Sequence, residues 1–348
     1  LVIAIFGLVG IGICLIASAT HSFAVTTGKA WHVERQSLFL AIDLALVIFS
    51  LRFDYRLLKD IATPLYVFNI ILLLAVMFLG HSQLGAQRWI QIGPLSIQPS
   101  EFSKAIMIVC LAAFLNKRLE TLDSFTDYLP ALAYAFVPFI LVMKQPDLGT
   151  SLVFMAILLG MLLISGFKVR WLMYMSGALI ALMPALWHIL KEYQKNRIRV
   201  FFGAGYHVIQ SKIAIGSGLL TGKGWFLGTQ SQLNFLPENH TDFIFAVAGE
   251  EFGFIGIFII LLLYLIVIWR GLTIALNAED DFGTLLAVGI TFMFMFHVLV
   301  NIGMTAGIMP VTGVPLPFMS YGVSSLTTNM LLAGLLLNIN MRRQQLQF

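Results

Sequence analysis

The segment FIFAVAGEEFGFIGIFIILLLYLIVIW, Phe243 to Trp269, carries no charge except at Glu250 and Glu251. It is longer than the about 20 apolar residues that cross a bilayer as a helix. Downstream of it, apolar runs bounded by charged or Gly/Pro-rich breaks recur at Gly283 to Ala306 and Tyr321 to Asn338. Upstream they lie at Leu1 to Thr20, Ser37 to Leu51, Ile61 to Gly80, Phe102 to Leu115, Tyr128 to Met143, Leu148 to Ser165 and Trp171 to Leu190. The pattern predicts an all-α polytopic membrane protein with about ten transmembrane helices. Pro130, Pro138 and Pro146 predict that the fifth and sixth spans are short and interrupted.

Composition agrees. Of 348 residues, 59% are hydrophobic and 11% charged, with a mean hydropathy of +0.90, whereas a soluble domain is about 25% charged. Ten spans consume roughly 200 residues, which excludes a soluble enzyme on a single anchor. Cys14 and Cys110 both sit in apolar runs, so no disulfide framework or cysteine metal site is implied. The net charge of +4 is spread over loops and reads as membrane-loop chemistry, not as a nucleic-acid surface. The chain opens at Leu1 inside an apolar run without an initiator Met, so residues ahead of it are expected and no targeting segment is read.

An even number of spans puts both termini on one side. The short loops there hold Arg52, Arg56, Lys59, Lys117, Arg118, Lys168, Arg170, Arg270, Arg342 and Arg343, against Lys29, Arg35, Arg88, Lys104 and Lys144 on the other. The stretch from Lys191 to Thr241 adds six positive charges to the second side, but long loops are weak topology determinants. Positive-inside therefore predicts cytoplasmic termini, with the 191–241 loop between spans seven and eight facing outward. HSQLGAQRWIQIGPLSIQPS, His81 to Ser100, alternates polar and apolar residues around Gly93 and Pro94 and predicts a small interfacial hairpin on that face.

The residues suited to chemistry gather on the same face. In PENHTDFIFAVAGEEFGFIG, Pro237 to Gly256, Thr241 is placed to cap a helix with Asp242 in its first turn. Helical steps from Asp242 reach Ala246, Gly249, Gly253 and Gly256, a line of small residues that lets neighbouring helices approach and turns Asp242 inward. Asp242 is open to two readings, a second helix cap or a working carboxylate. Glu250 and Glu251 lie deeper and need partners, which favours hydrogen bonds between helices. In QPSEFSK, Gln98 to Lys104, Glu101 and Lys104 share a helix face. They read either as an interfacial ion pair of little worth or as a cation for an anionic substrate, steadied by Glu101.

Arg88 and Trp89 precede the hairpin turn, where a Trp is commonly an interfacial anchor, and Asp147 after Pro146 is placed as a cap. His240 adjoins this group without an HExxH or His-rich spacing, so a metal held by protein alone is not indicated. GSGLLTGKG, Gly216 to Gly224, fails as a nucleotide loop: Ser217 replaces the first glycine and Gly224 the Ser/Thr, so no nucleotide cofactor is expected. PVTGVPLPFMSYGVSS, Pro310 to Ser325, has irregular backbone that a membrane tolerates only under protein cover or along a cavity.

In order along the chain, GAQRW (Gly85 to Trp89), QPSEFSK, QPDLGTS (Gln145 to Ser151), LPENHTDFIFAVAGEEFGFIG (Leu236 to Gly256) and PVTGVPLPFMSYG (Pro310 to Gly322) resemble the SEDS family of shape, elongation, division and sporulation proteins. The five motifs cover nearly the whole chain, and the resemblance is strongest to the elongation-type members. Val323 departs from the second glycine expected after SYG. The resemblance implies one SEDS-type domain over 1–348 in the bacterial cytoplasmic (inner) membrane, with its site facing the periplasm or cell exterior. It implies a peptidoglycan glycosyltransferase that polymerises lipid II with release of undecaprenyl diphosphate, and a flippase for the same precursor is the alternative. Asp242 falls on the family's essential carboxylate; Arg88, Trp89 and Lys104 fall on its outward cavity, with Glu101 and Asp147 in the surrounding polar network. A divalent cation, Mg or Mn, is implied as cofactor. The implied partners are a class B penicillin-binding protein, the elongation machinery and membrane lipids. The apolar faces of Phe258 to Trp269 and Thr284 to Val300 are the expected docking site for that penicillin-binding protein.

Overall fold

The computed structural model describes residues 1–83, 86–93, 95–122, 124–189, 195 and 205–342. Its ten long helices match the ten apolar runs: α1 (Val2–Ala19), α2 (Trp31–Arg52), α3 (Ala62–Leu79), α4 (Pro99–Asn116), α5 (Phe125–Lys144), α6 (Leu148–Ile164), α7 (Val169–Ile189), α8 (Ile244–Leu276), α9 (Asp281–Thr305) and α10 (Val323–Arg342). The chain is a multi-pass membrane protein. The bundle is built around α9, which packs on α4, α6 and α8 and buries Leu286, Ile290, Met293 and Phe294. That burial narrows the expected docking face on Thr284 to Val300 to Leu299, which is exposed, and to the partly exposed Thr284, Phe292, Met295 and Phe296. On α8, by contrast, Phe258, Leu265 and Trp269 are exposed, as a lipid-facing row requires.

The fifth span is not interrupted. α5 runs through both Pro130 and Pro138, starting from a capping box between Ser124 and Asp127. Pro138 has no N–H for the carbonyl of Tyr134, and the Tyr66 hydroxyl of α3 donates to that carbonyl instead, at 2.8 Å. A borrowed donor keeps the helix whole. Pro146 lies in the turn before α6.

The interfacial segment after α3 forms a three-stranded antiparallel meander, β1 (His81–Gln83), β2 (Ala86–Ile92) and β3 (Leu95–Ile97). Ile90 pairs with Ile97 and Ile92 with Leu95 across a turn at Gly93, and Trp89 pairs with His81 at a register shift. Within the long loop, helices Tyr206–Ser217 and Thr229–Gln232 are described; residues 190–194 and 196–204 of that region lie outside the described set, as do Gly85 and Arg343.

The small residues of α8 serve this loop and not a neighbouring helix. Gly253 breaks α8 at φ 62° and ψ −160°, and a Cβ there would stand 2.3 Å from the Gly222 nitrogen. The glycine run closes on the break. Phe254 and Ile255 donate to the carbonyls of Leu219 and Leu220 at 2.8 and 3.1 Å, while Lys223 and Gly224 donate to those of Glu250 and Glu251 at 3.0 Å each. Backbone groups freed by the break are thereby satisfied inside the membrane boundary. The two glutamates take the structural role expected of them. Glu250 accepts from Lys223 Nζ at 2.7 Å and from the Gln230 amide at 3.1 Å, and Glu251 accepts from Ser18 of α1. Gly253→Val should lower thermal stability by at least the about 1–3 kcal/mol of a side chain in a glycine-only conformation, and should make residues 216–232 newly sensitive to protease. Gly216→Ala, where a Cβ meets nothing within 4 Å, should leave both measurements unchanged.

Candidate active site

Five segments converge on a cavity of about 260 Å³ on the face opposite the Arg56–Glu279 and Arg342–Asp54 ion pairs. β2 supplies Arg88 and Trp89, the start of α4 supplies Gln98 and Glu101, and the turn before α8 supplies Glu238, Thr241 and Asp242. The α9–α10 connection adds Gly313, Pro315 and Tyr321, and the first turn of α10 adds Ser324 and Ser325. The Pro310–Ser325 stretch is both covered and cavity-lining: Val314, Leu316, Phe318 and Met319 are buried beneath it.

Asp242 is not in the first turn of α8. The helix begins at Ile244 with Phe243 as its cap residue and no side-chain cap bond, so Thr241 does not cap it either. The cause lies in later segments. The Thr241 carbonyl accepts from Ser320 Oγ at 2.6 Å and the Asp242 carbonyl from Asn301 Nδ2 at 3.0 Å, so neither carbonyl is turned up the helix axis. Asn301 donates also to the Val314 carbonyl at 2.8 Å and so fastens the Asp242 turn to the opposite cavity wall. The carboxylate itself is partly exposed, and a Cβ on Gly313 would stand 3.5 Å from its Oδ2. Behind it, His240 titrates below the ordinary histidine range because it is buried, with His32 adding to the depression and Glu238 opposing it.

Lys104 is not at the interface. It is 0% exposed, one layer behind the cavity, and each of its three N–H donors has a partner. Two go to Glu101 Oε1 and Oε2 at 2.9 Å each, and the third meets His297 Nε2 at 3.1 Å. His297 Nδ1 lies 2.9 Å from the Pro315 carbonyl, which fixes the proton on Nδ1 and leaves Nε2 to accept from lysine. Thus Glu101 reaches the cavity while Lys104 holds it from below, and His297 ties the pair to the segment carrying Pro315.

Arg88 is the guanidinium at the cavity. Its Nη2 donates to the Pro146 carbonyl at 2.6 Å, and Nη1 lies 3.7 Å from Asp147 Oδ1. Asp147 does what a cap does, accepting from the Thr150 amide at 3.1 Å, and in the same place receives Gln98 Nε2 at 3.2 Å. It therefore steadies Arg88 without lining the cavity. His297, Asn301, Glu238 and Tyr321 were given no role by sequence reasoning. His297 and Asn301 stand four apart inside an apolar run, and polar side chains at that depth and on one helix face were the available signal.

Apolar helices packed around one charged cavity define an integral membrane protein with a polar recess at one end of its bundle. The chain belongs to the FtsW, RodA and SpoVE family of cell cycle proteins, whose family model matches residues 1–345. It is 43% identical to peptidoglycan glycosyltransferase MrdB of Escherichia coli strain K12, over 95% of this chain and 92% of that one. It is 38% identical to stage V sporulation protein E of Bacillus subtilis strain 168, over 98% and 96%. Among solved structures, a chain of a peptidoglycan synthase complex that coordinates polymerization and crosslinking superposes with a TM-score of 0.82 at 30% identity, over 98% of each chain. The rod shape determining protein RodA of Thermus thermophilus superposes with a TM-score of 0.75 at 30% identity, over 99% of this chain and 96% of that one.

Proposed function

We propose that this chain is a peptidoglycan glycosyltransferase that polymerises lipid II during cell elongation, with the Arg88–Asp242 cavity as its reaction site. The observation carrying this reading is that one concavity holds a partly exposed carboxylate, Asp242, and a guanidinium, Arg88, in a chain 43% identical to a peptidoglycan glycosyltransferase. Asp242 takes the proton of the acceptor GlcNAc 4-hydroxyl as that oxygen attacks the anomeric carbon of a second lipid-linked MurNAc. The bond from that carbon to diphosphate breaks, the configuration inverts, and undecaprenyl diphosphate leaves. Arg88 offsets the growing charge on the diphosphate. Glu101 and Lys104 hold the wall, and Trp89 lines it.

Among the described residues no three His, Cys, Asp or Glu side chains converge as a metal centre. Asp242 and Glu238, which both line the cavity, fit a Mg²⁺ or Mn²⁺ whose other ligands are phosphate oxygens. Bound there, the ion would supply further positive charge beside the diphosphate. The cavity faces away from the arginine-bearing loops, which under the positive-inside rule supports a site open to the periplasm or cell exterior.

Purified protein in lipid vesicles, given lipid II and Mg²⁺ or Mn²⁺, should yield glycan strands, and chelation should suppress them. Transbilayer movement of lipid II without product would replace this reading with a flippase. The class B penicillin-binding protein that cross-links the product docks, on this reading, against the exposed row of α8. Photo-crosslinkers at Phe258 and Trp269 should capture its membrane span, while one at buried Phe294 should not. Equal capture at all three would remove α8 as the docking site.

A further inference from the structure

α2 and α10 form the most extensive helix pair in the molecule and run in the same direction from the cavity face inward. At the cavity end Gln36 of α2 donates to the Ser320 carbonyl at 3.4 Å and accepts from the Gly322 amide at 3.3 Å. At the far end Asn338 of α10 donates to the carbonyls of Ser50 and Phe53, both at 2.7 Å. Asp43 lies seven residues from Gln36 and seven from Ser50, about 10 Å from each along the helix axis, in the middle of the seam.

Asp43 is 1% exposed, and neither carboxylate oxygen has a hydrogen-bond partner among the described residues. The Thr327 hydroxyl of α10 lies beside it, short of bonding geometry. Next along α10, buried Thr328 Oγ1 and Asn329 Oδ1 are also without partners, while Asn329 Nδ2 donates to Ser325 Oγ at 3.3 Å. No counter-charge is at hand. α1 carries no acidic or basic side chain, α10 carries none before Arg342, and the other charges of α2, at Glu34, Arg35 and Arg52, are at least eight residues from Asp43, about 12 Å along the axis. An ionised carboxylate needs hydrogen bonds or a cation at this depth, and among the described residues neither Asp43 oxygen has one.

We propose that Asp43 is an intramembrane proton-binding site: a carboxylic acid that keeps its proton in the folded protein, in a seam where the Thr327 hydroxyl of α10 lies beside it. The same helix carries Ser324 and Ser325 into the cavity wall, and the Gln36 bonds hold Ser320 and Gly322 to α2. Loss of the proton puts an unpaired charge between the two helices. Relief requires water or a cation to enter, which loosens the hold on residues 320–325. The proton is thus linked to the shape of one cavity wall.

Three measurements on the full chain in lipid test this, with Asp43→Asn and Asp43→Leu beside wild type. Infrared spectra at neutral pH should show a protonated carboxyl C=O band in wild type that both variants lack. Absence of such a band, or a wild-type stability that rises with sodium while that of Asp43→Asn does not, would overturn the proposal in favour of an ionised, cation-holding Asp43. Folding with the proton retained means stability falls as pH rises above the ordinary aspartate range, so Asp43→Asn should melt at or above the wild-type temperature, with a gap that widens in alkali. Pulse-labelled hydrogen exchange at alkaline pH should be faster over residues 320–325 in wild type than in Asp43→Asn. Equal exchange would overturn the link to the cavity.

Discussion

Asp242→Asn should fold, insert and superpose on the wild-type bundle yet polymerise lipid II at a rate lower by about 10²–10⁴-fold, the usual worth of a general base. The structure makes this substitution clean. The turn holding Asp242 is fixed through backbone carbonyls, by Asn301 and Ser320, and α8 takes its cap position at Phe243. An amide at position 242 therefore leaves those anchors in place. Glycan synthesis at near wild-type rate by purified Asp242→Asn protein, with contaminating polymerases inhibited, would eliminate Asp242 as the base.

Lys104→Met should lose both stability and activity, for a reason that differs from the loss of a substrate-binding cation. The substitution leaves Glu101 charged and His297 Nε2 without a donor, in a place where Lys104 is 0% and Glu101 3% exposed. Breaking one side of a buried pair typically costs about 3–5 kcal/mol. Removing both charges, in Glu101→Gln with Lys104→Met, should restore much of the thermal stability without restoring turnover, because the carboxylate at the cavity wall is gone. Were the pair a solvent-exposed ion pair, both single and double variants would stay within about 1 kcal/mol of wild type. Thermal unfolding in detergent alongside lipid II turnover separates the two cases.

Sequence patterning located each of the ten long helices because its apolar run stands between charged or Gly/Pro-rich breaks, and it located the motifs of the cavity because each is local. What it misjudged was set by partners far along the chain. The interruption expected at Pro138 is cancelled by Tyr66, more than 70 residues earlier, and the helical start expected at Thr241 is cancelled by Asn301 and Ser320. Glu101 and Lys104 were legible as an i, i+3 pair, but their burial depends on α9 closing over them with His297. Asp147 was readable as a cap from four neighbouring residues and bore that out. Its second attachment, to Arg88, joins residues 59 positions apart and left no mark in either motif.

The break at Gly253 also bears on how the chain is made. The residues that satisfy it, 218–224, leave the ribosome before α8 does, so the nascent span meets its backbone partners already synthesised. Without them, the amides of Phe254 and Ile255 have only the carbonyls of Glu250 and Glu251, four residues back, to bond, which closes the break into continuous helix. Synthesis order and assembly order coincide at this helix. A circularly permuted gene that encoded α8 ahead of residues 206–232 would deliver to the translocon a span free to close into one straight helix, which the loop would then have to reopen.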